Sequence, residues 1–312
     1  MTEQSIFQRL YSEEEFVDRF ANNPTHAVDV IIPVLHTNEL WYKNLISIYR
    51  EIPVNRLLLG DGGCIDDTIE IAKQFPRVEV FDHKQFKTLG YSIMQLIKEV
   101  QTEFFIYLHS DVYIADGWFD KFYLNTEKYD WFECEQRHVC MLYYERKFAD
   151  EERGFGFGGT QMGRKAAFDD IMNDLDDDYI YRNEDIIIRT ALQKKGHKWG
   201  FDDTLFHYHE SMYKQSPNGR KLKSLKYDLE IPKHEQFKHW NMQLRGFVKY
   251  LEPNTPSLRQ DALYLKGQLL GKKLVNKYEL IEWIEKTNKN WLFIFTKKEL
   301  LRYRLKKFLK II

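Results

Sequence analysis

Asp61 is an acidic residue whose surroundings suit the binding of a ligand. It follows an apolar run and stands within Gly60-Asp61-Gly62-Gly63. Glycines after a strand let the backbone turn tightly and approach a bound molecule. We predict that Asp61 accepts a hydrogen bond from a nucleobase imide. For the nearby Asp66 and Asp67, a structural role in which one of them caps the helix that begins there is favoured over a role in ligand binding.

A second chemical group is His109-Ser110-Asp111, which also follows an apolar run. A carboxylate oxygen suits Mg²⁺ or Mn²⁺, and imidazole suits Mn²⁺ better than Mg²⁺. In the later segment His207-Tyr208-His209-Glu210, strand alternation puts His207 and His209 on one face. One of them is expected to complete a metal site opposite Asp111. A zinc site built from this segment alone, and histidines without a role, are the alternatives.

The third group, Glu184-Asp185, opens a predicted helix that runs to Lys195. Carboxylates in a first turn are favoured by the helix dipole, which gives a purely structural interpretation. The functional interpretation has one of the two pointing into a cleft, where Asp185 takes a proton from an acceptor hydroxyl.

The elements that position these groups are apolar runs separated by helical patterns. Strands are predicted at 28–34, 56–59, 78–81 and 104–108. Such alternation predicts an α/β fold with a doubly wound sheet, and ligands bind such sheets at the carboxyl ends of the strands. Residues 33–36, 60–67 and 109–111 all fall there. The pattern is less regular over 129–160, helical over 165–175 and 185–195, and strand-like over 196–212.

Three regions are predicted along the chain: a lead-in over 1–27, an α/β domain over 28–230 and a helical region over 231–312. The 46 basic and 47 acidic side chains nearly cancel, which argues against nucleic acid as a partner. Three cysteines without a Cys-x-x-Cys pair fit a reducing, cytoplasmic setting. Residues 1–15 lack the apolar core of a signal peptide, and no run of about 18 apolar residues occurs.

The end of the chain is basic and amphipathic. Trp291-Leu292-Phe293-Ile294-Phe295 is followed by seven basic residues interleaved with Leu300, Leu301, Leu305, Phe308 and Leu309. This composition is typical of a helix that lies on anionic lipid, and we predict membrane-surface contact through residues 288–312. A helix packed on the domain or on a partner subunit is the alternative.

Residues of about 28–210 resemble glycosyltransferase family 2, the inverting group with the GT-A fold. Val28 to Pro33 reads like the family's first strand, and Asp61-Gly62-Gly63-Cys64-Ile65-Asp66-Asp67-Thr68 lies on its Asp-Asp-Gly-Ser-x-Asp-x-Thr signature. Later motifs follow in order. They are His109-Ser110-Asp111 for the Asp-x-Asp motif, Trp118, Gly158-Gly159-Thr160 with Arg164, Glu184-Asp185, and a late His at 207 or 209. Gly62 and His109 depart from the family pattern, since each replaces an Asp.

The resemblance implies a mixed GT-A sheet with a helical C-terminal extension, and transfer of a sugar from a UDP- or GDP-sugar to a hydroxyl of a glycan or lipid-linked acceptor. It implies a divalent cofactor, Mn²⁺ or Mg²⁺, and a role in polysaccharide synthesis at the cytoplasmic face of a membrane. The implied sites are Asp185 as catalytic base; Pro33, Val34, Leu35, Asp61, Gly62, Ser110 and Asp111 for the donor; Trp118, Gly159 and Glu184 for the acceptor; and His109, Asp111, His207 and His209 for the metal.

Two other functions stay open from the sequence. A GT-A-like protein that binds a nucleotide sugar without turnover is suggested by the two departures. A different nucleotide-dependent enzyme is disfavoured, because no Gly-x-x-x-x-Gly-Lys motif follows a strand.

Overall fold

The computed structural model describes residues 15–35, 37, 40–86, 88–142, 147–154, 158–175, 184–210 and 233–311. The chain divides into two compact units, one of residues 1–176 with 191–228, the other of residues 177–190 with 229–312. Residues 177–190 therefore group with the helical region, whereas the sequence predicted one continuous domain over 28–230. The chain leaves the sheet after Arg164 and returns to it at Trp199, so no strand pairing holds the residues between them in the sheet.

The first half of the sheet is parallel. Its strands are β1 (Val28–Val34), β2 (Val54–Asp61), β3 (Val78–Asp82) and β4 (Phe104–Leu108), in the spatial order β3-β2-β1-β4. The helices before and between them are α1 (Arg19–Asn22), α2 (Trp41–Glu51), α3 (Thr68–Ala72) and α4 (Leu89–Glu99). Strands β1, β2 and β4 match the predicted apolar runs, since strands covered on both faces carry apolar residues at successive positions. Strand β3 also lies where it was predicted, but it is partly exposed at the edge of the sheet.

The second half of the sheet is mixed. It contains β5 (Val112–Tyr113), β6 (Trp131–Leu142), β7 (Lys147–Gly154), β8 (Thr160–Arg164) and β9 (Trp199–Glu210), with helices α5 (Trp118–Tyr123), α6 (Lys165–Ile171) and α7 (Glu184–Lys194). Strand β8 runs antiparallel to β4, and β6 lies between β8 and β9. The segment expected to be irregular thus contains two long strands, β6 and β7. The α/β class with a mixed sheet is confirmed.

The buried strand β1 carries one charged residue, Asp29, which is fully buried. Its carboxylate accepts hydrogen bonds from Arg56 at 2.6 Å, from Asn55 at 2.8 Å and from the amide of Gln101 at 2.7 Å. A buried charge is tolerated when it is paired and hydrogen-bonded in this way. These contacts fix β1 beside β2 and beside the segment that leads into β4.

The helical unit contains α8 (Lys233–Tyr250), α9 (Pro256–Gly271), α10 (Lys277–Thr287), a short 3₁₀ helix (Lys289–Ile294) and α11 (Lys297–Phe308). The helical C-terminal region expected from the sequence is confirmed. Trp291, Ile294 and Phe295 are buried in this unit. None of the helices in the described ranges has both the length and the apolarity needed to cross a bilayer.

Candidate active site

The carboxyl ends of β1 and β2 lie side by side. Val34 pairs with Asp61 in the parallel ladder, and Pro33 pairs with Gly60. The amide of Gly62 donates to the carbonyl of Val34 at 2.7 Å, which continues the ladder beyond the strand. Leu35 follows as an exposed apolar side chain. Residues 33–35 and 61–62, predicted to bind the donor, therefore form one continuous edge.

The two carboxylate oxygens of Asp61 have different surroundings. Its Oδ1 accepts hydrogen bonds from the amides of Gly63 at 2.9 Å and Cys64 at 2.7 Å. Burial alone would raise the pKa of Asp61, but these amide hydrogen bonds outweigh it and the pKa is lowered. Oδ2 makes no hydrogen bond within the described part of the chain, and Lys84 Nζ lies 4.0 Å from it. Asp61 is thus an ionised acceptor with one oxygen held and the other available.

The predicted helix caps differ in their contacts. The side chain of Asp66 accepts a hydrogen bond from the amide of Thr68 at 3.1 Å. Asp67 occupies the cap position of α3, but its side chain makes no capping hydrogen bond. The interpretation of Asp66 as a residue that caps the start of the helix is therefore confirmed.

Three of the predicted metal-binding residues lie together, namely His109, Asp111 and His209, and one ligand atom from each lies within 4.8 Å of the others. His209 Nε2 is 3.2 Å from Asp111 Oδ1 and 3.4 Å from His109 Nδ1. Burial lowers the pKa of His109 to about 4, an effect that His209 reinforces and Asp111 opposes. The neutral imidazole is the form that binds a metal.

His207 is not part of this group. Its imidazole is buried, with Nδ1 3.5 Å from Cys134 Sγ. Of the two histidines that alternation puts on one face, the structure therefore selects His209 for the metal group. The reason is pairing, because β9 aligns His209 with Val112 of β5, the residue after Asp111. His207 as a metal ligand stays a prediction that this group does not include.

Gly159, expected on the acceptor side, has a role in positioning the metal group. Its carbonyl accepts a hydrogen bond from the amide of His109 at 2.9 Å. Its φ is +94°, and a Cβ there would lie 2.6 Å from His207 Nε2. Only glycine fits both this backbone conformation and the close approach of the imidazole. His207 and Gly159 therefore support the segment that carries His109.

Ser110 and Trp118 also have mainly structural positions. The carbonyl of Ser110 accepts a hydrogen bond from Asn44 Nδ2 at 3.0 Å, which fixes the segment His109-Ser110-Asp111 to α2. Trp118 is only 2% exposed and stacks on Phe122 at a ring distance of 4.3 Å. A side chain enclosed in this way belongs to the core. The expectation that Trp118 lines the acceptor side stays a prediction.

The sequence profile of glycosyl transferase family 2 matches residues 29–131. That range includes the Asp61 loop and the His109-Ser110-Asp111 segment, which lie at the same edge of the sheet on either side of β1. Over residues 29–131, about a third of the chain, the sequence is therefore similar to glycosyltransferase family 2. Its mixed sheet fits the GT-A fold of that family.

Several solved structures resemble this chain at low identity. S. aureus TarS 1–349 in complex with UDP-GlcNAc is 14% identical, with a TM-score of 0.47 over 87% of this chain and 82% of that one. The bifunctional IspDF from Campylobacter jejuni is 16% identical, with a TM-score of 0.38 over 62% of this chain. The chain spans about half, 51%, of IspDF. Likenesses this weak carry no inference about substrate, and no curated protein matches the chain.

Glu184-Asp185, the pair that resembles the family's Glu-Asp motif, opens α7. Both residues are half-buried. Burial raises the pKa of Asp185, while the amide of Ile186 and the charge of Arg189 oppose the rise. A carboxyl group with a raised pKa is a stronger base than an ordinary one, which suits the role that the motif implies.

Lys84 is a residue near the donor edge that sequence reasoning missed. It follows β3, and its Cγ would lie 3.5 Å from a Cβ at Gly63, whose φ is +111°. The rule that places functional residues after parallel strands could have found it, since β3 pairs with β2 up to Asp61. The ammonium group adds a positive charge where a nucleotide would bring negative charge.

Proposed function

We propose that this chain transfers a sugar from a UDP- or GDP-sugar to a hydroxyl group of a glycan or lipid-linked acceptor, with inversion at the anomeric carbon. One observation carries the proposal: the cluster of His109, Asp111 and His209 stands at the same sheet edge as the Asp61 loop, on a family 2 domain. The three-residue cluster can hold a cation that contacts a diphosphate, and the Asp61 loop can hold a nucleobase.

Donor recognition is assigned to the edge formed by β1 and β2. The available Oδ2 of Asp61 would accept the imide N–H of a uracil or guanine ring, and the exposed Leu35 side chain offers an apolar contact. A hydrogen bond to an ionised acceptor contributes about 1.5–3 kcal/mol, so it can decide which base is held.

The metal-binding residues would be Asp111, His209 and His109. The residues fit a divalent cation, because one ligand atom from each of the three lies within 4.8 Å of the others. In addition, His109 Nε2 is buried without a hydrogen-bond partner in the described ranges. A cation held there would supply positive charge to the leaving diphosphate. A donor set of two imidazoles and one carboxylate favours Mn²⁺ over Mg²⁺.

The acid–base step is assigned to Asp185. Its carboxylate would accept the proton of the acceptor hydroxyl as that oxygen bonds to the anomeric carbon, while the bond from this carbon to the diphosphate oxygen breaks. A single displacement of this kind inverts the anomeric configuration. The raised pKa of Asp185 increases its affinity for the proton.

A panel of UDP- and GDP-sugars, each with Mn²⁺ or Mg²⁺, tests the proposal. Thermal stabilisation reports binding, and release of free nucleotide with an added acceptor reports transfer. We expect one nucleotide series to stabilise the protein more strongly with Mn²⁺, and Asp111→Asn to remove the metal effect. Stabilisation without transfer or hydrolysis would instead support a binding protein without turnover. No stabilisation by any member would reject the donor assignment.

A cytoplasmic location, which the cysteine pattern favours, and a role in polysaccharide synthesis both stay predictions.

A further inference from the structure

Helix α11 presents an apolar surface that its own unit does not cover. Phe308 is 84% exposed, Leu301 69% and Leu305 57%. These positions are spaced four and three residues apart, so they lie on one face of the helix. Leu309 and Ile311 extend the exposed apolar residues beyond the helix end. We call Leu301, Leu305 and Phe308 the outer stripe.

The opposite side of α11 faces its own unit. Tyr303 is 2% exposed, and its hydroxyl donates to Glu285 at 3.2 Å. Lys307 donates to the same carboxylate at 3.1 Å, and Lys306 lies over the ring of Tyr278. Helix α11 is therefore already docked through one face. The exposure of the outer stripe is a property of a packed helix, not of a detached tail.

The charged residues of α11 are also divided between its outer and inner faces. Lys297, Lys298, Arg302 and Arg304 are exposed around the outer stripe. Glu299, the one acidic residue between 297 and 308, is turned inward, where it accepts a hydrogen bond from Lys266 at 3.1 Å. The outer face of α11 therefore carries apolar and basic side chains and no carboxylate.

We propose that the outer stripe and its basic border bind the surface of an anionic phospholipid membrane. The apolar side chains would enter the region of the headgroups and upper acyl chains, while the basic groups contact lipid phosphates, as interfacial helices do. Charge favours this partner over a second copy of the chain. In a two-fold interface the same patch would face itself, which brings basic borders together with no carboxylate between them. The surface is shorter than the predicted 288–312, because Trp291, Ile294 and Phe295 are buried.

Vesicle co-sedimentation of the full chain tests the proposal. We expect binding to phosphatidylcholine vesicles that contain phosphatidylglycerol, weak binding to pure phosphatidylcholine, and loss of binding at high salt. Lys298→Gln and Arg302→Gln should each weaken binding about fivefold, since each basic group near such a surface contributes about 1 kcal/mol. Phe308→Ser should weaken it about tenfold or more.

Leu124→Ser is the matched control, because Leu124 is an apolar residue 63% exposed in the other unit. It should leave vesicle binding unchanged, and unfolding midpoints should show that all variants fold. Equal binding of wild type and Phe308→Ser would overturn the proposal. A dimer in light scattering that Phe308→Ser dissociates would also overturn it, since a second copy would then cover the stripe. Neither result depends on transfer activity, so the proposed function would be unaffected.

Discussion

His209 lies 3.2 Å from Asp111, although one residue is near the end of β9 and the other follows β4. The contact exists because β5, the two-residue strand directly after Asp111, pairs antiparallel with the end of β9. This short ladder brings a distant imidazole to the carboxylate of the Asp-x-Asp position. The metal group therefore depends on a tertiary pairing as much as on a local motif.

Removing the His209 imidazole should weaken metal binding. We expect His209→Gln to lower Mn²⁺ affinity at least tenfold, because loss of a neighbour that orients a ligand already costs about 10–100-fold. Mn²⁺ titration followed by electron paramagnetic resonance measures it. His26→Gln is the control, since His26 stacks on Tyr123, outside the metal group. Equal affinity in wild type and His209→Gln would exclude His209 as a ligand.

Asp61→Asn should weaken nucleotide binding about tenfold or more while leaving the loop intact. The amide oxygen can still accept from Gly63 and Cys64, but an NH₂ group in place of Oδ2 cannot accept an imide N–H. Calorimetry with UDP and GDP measures the effect. Asp82→Asn is the control, because Asp82 pairs with Asp61 at the end of β3. A similar loss of nucleotide affinity in both variants would show that the negative charge at this edge, and not a hydrogen bond to Asp61, determines the affinity.

Gly159→Ala and Gly196→Ala separate backbone strain from steric conflict. Both glycines have positive φ, +94° and +91°, but a Cβ at Gly196 meets nothing within 4 Å. We expect Gly159→Ala to reduce the free energy of unfolding by about 1–3 kcal/mol more than Gly196→Ala. Adding His207→Ala should recover part of the difference. Equal losses measured by urea unfolding would contradict the contact between Gly159 and His207.

Asp185→Asn should reduce kcat by about 100-fold or more while donor affinity stays unchanged, because the amide cannot take the proton. Since burial raises the pKa of Asp185, the acidic limb of the wild-type kcat profile should lie above the usual aspartate value of 3.8. Steady-state rates across pH and donor calorimetry measure both quantities. Asp261→Asn, an exposed position on α9, is the control. Parallel loss of kcat and donor affinity would reject the role as base.

Glu299 links pH to the stability of α11. Thr296 and Glu299 form a capping box. Burial opposes ionisation of Glu299, but hydrogen bonds from Thr296 and Lys266 outweigh it and lower its pKa from the usual 4.5 to about 2. A lowered pKa stabilises the fold above pH 4.5, and this contribution is lost as pH falls from 4.5 to about 2.

Glu299→Gln should therefore be less stable than wild type at pH 6, and the difference should shrink as pH falls to about 2. Thr296→Ala should cost about 1 kcal/mol as a lost cap. Urea unfolding at both pH values, followed by helical circular dichroism, measures these effects. Glu279→Gln is the control on α10, since Glu279 is exposed. An unchanged difference at low pH would contradict the linkage.

The sequence predicted the parallel strands well, because β1, β2 and β4 are buried and their apolar runs have a local cause. Strand β6 was missed, since its polar residues face partners that only the tertiary fold supplies. Glu133, for example, pairs with both Gln161 of β8 and Phe201 of β9. The choice between His207 and His209 has the same origin. Alternation gives both histidines one face, and strand register decides which one reaches Asp111.

The two loops that carry Asp61 and His109 are each anchored through the main chain, Gly62 to Val34 and His109 to Gly159. A peptide group makes these contacts whatever side chain the donor residue carries. Replacement of Asp by His at 109 can therefore alter which cation is preferred without disturbing the loop path. At 62 a Cβ would lie 3.2 Å from the Val34 carbonyl, so glycine there also avoids a tight contact. In evolutionary terms, this edge of the protein can change its chemistry one substitution at a time while its backbone stays the same.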